Sequence, residues 1–284
     1  MRAVVAERIA GIARLRQRLQ GVPLGCGRPI WVDDPSFDIA NHVSETVCPS
    51  PGDRDAIFSV VAEVVSRPLS RERPMWSATL ITGLNEDAVA LVLMFHHVMA
   101  DGLGGLAVLA DLVDGAPPRP VPAGRTAAVA RRLGNQVGVM LVDVSVGTGT
   151  PGERMKAIAS ATGARKQGTS GASAALLAPA FRVLAALRLL AWLTRHQRLV
   201  TTFVTNLRGP EQHVALLGSI VTEIIPVNAV SGNVRVAFGV FSYAGALNVT
   251  VVADSGFADD LAHLVALLEI ELDGISALTD GCED

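Results

Sequence analysis

The chain has 284 residues, with 24 basic and 27 acidic side chains and a net charge of −3, which is neither a basic arm nor an acidic tail and argues against sequence-independent nucleic-acid binding. Half of the residues are hydrophobic and 18% are charged, a balance that favours a buried core over disorder, and the length suits about two domains or lobes. Aromatic residues make up only 4%, so the core rests on Ala, Val, Leu and Ile and offers little for stacking nucleobases.

The opening MRAVVAERIAG reaches Glu7 and Arg8 before a hydrophobic run of signal-peptide length develops, so secretion is not expected. Val5, Ile9, Ile12, Leu15 and Leu19 recur at spacings of three and four, which predicts an amphipathic helix. After a Gly/Pro-rich turn and an extended stretch around Trp31 and Phe37, a second helix is predicted from Asp53, with Ile57, Val60, Val61, Val64 and Val65 as its buried stripe. It stops before Pro68. Trp76 to Ile81 and Ala88 to Phe95 read as the strands of a hairpin, with Trp76 packed beneath it. The run AVALVLMF suits a central strand covered on both faces. From Gly102 to about Val113 the pattern is helical again.

Gly115 to Gly124 carries four prolines and marks a lobe boundary, which divides the chain into 1–115, a linker at 116–133, and 134–284. Beyond it the pattern predicts a strand at Val137 to Val144, a helix from Pro151 to about Lys166 and a long apolar helix at Ala172 to Leu193. Strands follow near Leu199 to Val204 and Ile220 to Ile225, then a hairpin joining Val234–Phe241 to Leu247–Val252, and an amphipathic helix after Phe257. The apolar segment from Ala172 contains Pro179, Arg182 and Arg188, and each mid-helix Arg costs about 2.5–3.5 kcal/mol to insert. A surface position on a membrane suits it better than a span, and a place in the lobe core suits it better than an acyl-chain wall or a membrane contact. Cys26, Cys48 and Cys282 form an odd set without C-x-x-C spacing, which points to a reducing compartment rather than a disulfide framework or structural zinc.

The chemistry concentrates at His96-His97-Val98-Met99-Ala100-Asp101-Gly102, where ionisable groups interrupt a buried pattern at a strand end. A neutral imidazole accepts a proton at physiological pH when a hydrogen bond to its other nitrogen fixes the tautomer. Asp101 could orient a ring or brace the loop through an arginine, and Gly102 permits backbone geometry that a side chain forbids. The residue types alone leave open a metal site or a hydrogen-bonded core cluster. His42, His196, His213 and His263 show no paired spacing that would complete a metal site.

The H-H-x-x-x-D-G motif, here HHVMADG, resembles the signature of the CoA-dependent acyltransferase superfamily. Its flanks are similar to the bacterial wax ester synthase/diacylglycerol acyltransferase branch: VPLGCGRPIWVDDPSFDIANHV at Val22 to Val43, SRPLSRERPMW at Ser66 to Trp76, VTNLRGP at Val204 to Pro210 and SYAGALNVTVVAD at Ser242 to Asp254. The resemblance covers most of 1–115 and 134–278. It implies an α/β fold of mixed sheets, in two chloramphenicol-acetyltransferase-like lobes with a tunnel between them. It also implies that His97 is the base that takes the proton from the hydroxyl of diacylglycerol or a long-chain alcohol, which then attacks the thioester of a fatty acyl-CoA. His96 and Asp101 would be architectural, with Asp101 in an ion pair to an arginine. Acyl-CoA is then a co-substrate, with no cofactor and no metal.

Thr205 and Asn206 follow an apolar strand and are candidate donors to the oxyanion; the other reading is a strand-end turn secured by polar side chains. Relative to its family the chain reads as an incomplete, shortened member, without the segment that precedes the first helix and without a counterpart to the stretch skipped at 116–133. Exposed sheet edges in such a scaffold predict self-association or a complementing chain. The expected setting is the cytoplasm, peripheral at a membrane or lipid droplet. The alternative function is a noncatalytic remnant or partner subunit that binds lipid or acyl-CoA without turnover, and the signature itself does not distinguish lipid from other hydroxyl acceptors.

Overall fold

The computed structural model describes residues 8, 11–22, 29–99, 102–115, 149–167, 189, 192, 195–197, 200–228, 230 and 232–280. The chain forms two compact units, one of Met1–Gln136, Gly209–Glu223 and Tyr243–Gly245, the other of Val137–Arg208, Ile224–Ser242 and Ala246–Asp284. It therefore leaves the second unit twice and returns. The expected linker at 116–133 and the elements expected at Val137–Val144 and at Ala172–Leu193 lie outside the described residues, apart from residues 189 and 192.

In the first unit, β1 (Gln17–Gln20) pairs antiparallel with β2 (Ile30–Asp33). A helix was expected through Leu19; Arg8 is helical, but from Gly11 onward the described chain turns, makes a short 3-10 turn at Ala13–Arg16 and enters β1. The apolar stripe is still used, since Ile12 and Leu15 are buried. What changes is the backbone pairing: the Leu15 carbonyl accepts from the Trp76 indole at 2.8 Å and the Arg16 carbonyl from the Asp34 N–H at 3.0 Å. Long-range partners thus take carbonyls that a helix would have used.

The main sheet of this unit has the order β3-β4-β5, made of Val43–Val47, Trp76–Thr82 and Ala90–Phe95. β3 and β4 are parallel and joined through α1 (Arg54–Ser66), while β4 and β5 form the expected antiparallel hairpin. The Asp53 side chain caps α1 by accepting from Ala56 N–H, and the helix ends before Pro68 as expected. Its stripe is half-buried except for Val64, which is fully buried. Among the described residues the central strand is β4, not β5. β4 has buried positions on both faces, whereas every residue of β5 is half-buried. An all-apolar run fits a half-covered strand as well as a covered one, so composition could not separate them. α2 (Gly102–Leu112) follows, with Val108 and Leu112 in the core.

The excursion Gly209–Glu223 carries the short hairpin of β7 (Ala215–Leu216) and β8 (Ser219–Ile220). Its tip, Leu217-Gly218, has φ of 57° and 82°, the left-handed pair of a tight hairpin turn. The strand expected over Ile220–Ile225 is thus only its first residue. Beyond it, side chains satisfy the backbone: Tyr243 hydroxyl donates to Val221 O and Asn248 Nδ2 to Ile224 O, and Pro226 cannot donate to a ladder.

In the second unit, β6 (Thr202–Arg208) runs parallel to β9 (Val236–Tyr243), and β9 turns back into β10 (Ala246–Ala253) in the order β10-β9-β6. β9 alternates half-buried and buried along its length. Gly239 lets Pro226 cross it, since a Cβ there would come within 2.9 Å of the Pro226 carbonyl. α3 (Pro151–Gln167) matches its expected span and packs on α4 (Ala258–Asp280), which in turn lies on β10. Leu261, Leu264, Val265, Leu268, Leu272 and Ile275 are the half-buried stripe of α4. Both units are therefore mixed α/β, as expected from the fold class. No described helix is long and apolar enough to cross a membrane.

Candidate active site

The HHVMADG segment begins where the β4–β5 ladder stops. The last paired residues are Trp76 and Phe95, and His96 N–H extends the pairing by donating to Met75 O at 3.0 Å. The chain then turns sharply: Met99 N–H donates to His96 O at 2.7 Å, and Val98 N–H donates to His96 Nδ1 at 3.2 Å. Met99 anchors the turn from below, 1% exposed, in one core cluster with Ile12, Leu15, Trp76, Val108 and Leu112. Gly102 opens α2 directly afterwards.

This geometry separates the two histidines. His96 is half-buried and its Nδ1 accepts a backbone N–H, so the neutral ring carries its proton on Nε2. Burial holds its pKa below the usual histidine value, and the charge of Arg71 and the neighbouring His97 push the same way. His97 is exposed at the turn. Asp101 lies outside the described residues.

Beneath the turn lies a histidine that sequence reasoning did not single out as functional. His42 is 3% exposed, stacks flat on Trp76 at 4.6 Å and on Phe37 at 5.3 Å, and its Nδ1 lies 3.0 Å from the Trp76 carbonyl. Burial lowers its pKa, against the smaller raising effect of that carbonyl. A carbonyl only accepts, so Nδ1 is the donor. Only the place of His42 in FDIANHV, ahead of β3, pointed to it.

Two arginines on the turn before β1 stand out electrostatically. Arg14 is 4% exposed and lies over the Trp31 ring at 4.2 Å, yet among the described residues its Nε and Nη1 have no hydrogen-bond partner; nor does the buried Nε of Arg16. Burial pulls the Arg14 pKa down. At the far end of α2, Asp114 accepts from Leu217 N–H at 3.1 Å and Gly218 N–H at 2.7 Å and pairs with Arg8, which also donates to Leu112 O. The Gly218 and Arg8 bonds hold the Asp114 carboxyl below its ordinary pKa. An acid after a helix is too common in sequence to have signalled this node.

Thr205 and Asn206 sit inside β6, opposite Gly239 and Val240 of β9, rather than in a turn after a strand. The strand expected to end at Val204 runs from Thr202 to Arg208, because its parallel ladder to β9 continues that far. Thr205 is half-buried and Asn206 exposed. They belong to the second unit and the histidines to the first. Among the described residues no group of three or more His, Cys, Asp or Glu could hold a metal ion.

Comparison with known proteins places this arrangement. A solved wax ester synthase/diacylglycerol acyltransferase from Marinobacter aquaeolei VT8 superposes with a TM-score of 0.70 over 95% of this chain and 89% of that one, at 19% identity; this supports the fold alone. A probable diacyglycerol O-acyltransferase, tgs3, of Mycobacterium tuberculosis is 36% identical over 164 residues, 55% of this chain and 58% of the relative. Another, tgs1 of the same organism, is 40% identical over 110 residues, 39% of this chain and 24% of the relative. The chain thus spans little more than half of the first relative and about a quarter of the second. The wax ester synthase/diacylglycerol acyltransferase catalytic domain model matches residues 1–221, and the chain belongs to that family.

Proposed function

We propose that the chain is an acyl-CoA-dependent O-acyltransferase that moves a fatty acyl group to diacylglycerol or a long-chain alcohol, with His97 as general base. The observation that carries this reading is the division of labour in the turn: Nδ1 of His96 is committed to the Val98 N–H, while His97 is exposed one residue further on. His97 takes the proton of the acceptor hydroxyl as its oxygen attacks the thioester carbonyl. The tetrahedral oxyanion collapses, the C–S bond breaks, and the imidazolium returns the proton to the CoA thiolate. The products are a lipid ester and CoA. Thr205 and Asn206 are the proposed oxyanion donors. Such a donor contributes roughly 10²–10³-fold.

In this reading Asp101 braces the motif through an ion pair. Arg14 and Arg16 are suited to it, because among the described residues Arg14 Nε and Nη1 and Arg16 Nε are buried without partners, and their turn shares a core with Met99, two residues before Asp101. A buried guanidinium nitrogen without an acceptor is costly, so a carboxylate is a partner that suits this turn. Arg16→Met and Asp101→Asn should then be strongly non-additive in a double-mutant cycle of activity.

The deciding experiment incubates the protein with palmitoyl-CoA and either hexadecanol or dioleoylglycerol, following free CoA and ester beside a His97→Ala variant. Turnover should fall by about 10²–10⁴ in the variant with the melting temperature unchanged. Equal activity in both proteins would sink the base assignment. A rise in melting temperature with palmitoyl-CoA but no CoA release would favour a noncatalytic binding subunit.

A further inference from the structure

The β3–β4 ladder is extended at one end by a side chain. Ala78 N–H donates to His42 O at 2.8 Å, and in a parallel ladder the preceding rung would join His42 N–H to Trp76 O. That backbone donor is spent elsewhere. His42 follows the 3-10 turn Ile39–Asn41 with φ −117° and ψ −26°, and its N–H donates to Ile39 O at 3.0 Å. The turn is capped by Asp38, which accepts from Ala40 N–H. The imidazole supplies the missing rung, with Nδ1 donating to Trp76 O at 3.0 Å. Trp76 N–H also leaves the ladder, donating to Pro74 O at 3.0 Å. Among the described residues, the imidazole bond is therefore the one that ties the Trp76 backbone to the β3 side. Trp76 is 2% exposed, so losing that donor would strand its carbonyl in a buried place.

On the other edge of β4, Met75 O accepts from His96 N–H at 3.0 Å. Consecutive carbonyls of a strand point to opposite edges. His42 and His96 thus grip the same strand end from its two sides. The His42 ring is itself fixed in orientation, stacked between Phe37 and Trp76 at interplanar angles of 27° and 14°. From Met75 the linkage passes through His96 to the Val98 and Met99 amides, which bond to His96 Nδ1 and O. His97 lies inside that turn.

We propose that His42 is a positioning residue for the transfer reaction: its Nδ1–H fixes the Trp76 carbonyl, and with it the strand end from which His96 and His97 turn. This rests on the acyltransferase reading with His97 as base. His42 acts through β4, and a displacement of about 1 Å handed on to the base is enough to cost on the order of 10²-fold in rate.

The test uses the full chain with palmitoyl-CoA and hexadecanol, reading kcat, KM and hydrogen exchange at the His96 and Val98 amides. His42→Phe keeps a stacked ring and removes the donor. His42→Asn removes the ring and returns a donor near the Nδ1 position. Should His42→Phe fail to fold, His42→Gln replaces it, because its amide reaches the Nε2 position instead. The folded donorless variant should lose about tenfold to 10²-fold in kcat with KM for palmitoyl-CoA nearly unchanged. Its His96 and Val98 amides should exchange faster, and His42→Asn should regain most of both. Parent kcat in the folded donorless variant overturns the proposal. So does a loss that His42→Asn fails to restore, which would trace to ring packing and not to the bond. A parent that releases no CoA removes the acyltransferase reading alone; parent-like His96 and Val98 protection in the donorless variant then overturns the positioning, and faster exchange sustains it.

Discussion

The sheets β3-β4-β5 and β10-β9-β6 are built alike. In each, a parallel pair is joined by a crossover, a hairpin brings in the third strand, and a helix follows. They differ in what the crossover does and in what stands after the third strand. In the first unit the crossover contains α1, which packs on its own sheet, and β5 runs into His96 and His97. In the second, the crossover sends Gly209–Glu223 into the first unit, and β10 runs into Asp254, Ser255 and Gly256. One topology thus supplies two strand ends, and only the first of them carries paired imidazoles, beside the apolar core that holds Met99. The lesson is that the framework positions a strand end while residue identity decides whether chemistry occurs there.

Breaking either sheet should separate these roles. Trp76→Ala removes a 2% exposed side chain that fills the first core and holds the Leu15 carbonyl. It should cost about 3–5 kcal/mol by chemical denaturation, and protection of the Val98 amide in native-state hydrogen exchange should fall with it. Phe241→Ala, 3% exposed on β9, should cost a comparable amount while leaving Val98 protection less affected. Equal loss of protection in both variants would mean that the units do not open independently.

A smaller effect, about 1–3 kcal/mol, is expected for Gly239→Ala, whose new methyl group meets the Pro226 carbonyl. A melting temperature at the parent value would show that the crossing segment yields freely.

The subtlest contrast is with pH. His42 and His96 have native pKa values below the usual 6.5, so below that value the unfolded chain binds more protons than the native one. Their contribution to stability is therefore complete above about pH 6.5 and declines as pH falls toward the native values. The melting temperature should fall between pH 7 and 5, and less steeply in His42→Gln. An identical slope in the variant would exclude His42 as a source. Protonated His96 can no longer accept from Val98 N–H at Nδ1, so the turn itself should loosen over the same acid range.

Local pattern made much of this legible. α1, α3, α4 and the β4–β5 hairpin lie near their expected places because caps, prolines and periodicity act within a few residues. His96 and His97 stood out because they end an apolar run, and the ordered motifs around them carried the family. The stripe through Ile12 and Leu15 correctly marked burial but misled about conformation. A spacing of three fits one helical face, yet the Trp76 indole and the Asp34 amide, distant in sequence, took the carbonyls.

What the sequence determined on its own was which residues seek the interior and where the polar motif interrupts them, since hydrophobicity and turn chemistry belong to the residues themselves. Only the tertiary structure decided that β4 rather than β5 is the central described strand, that Thr205 and Asn206 lie within a ladder, and that His42, Arg14 and Asp114 carry special environments. Each of these depends on partners brought together across tens of residues, where burial and hydrogen bonding are set by packing and not by neighbours along the chain.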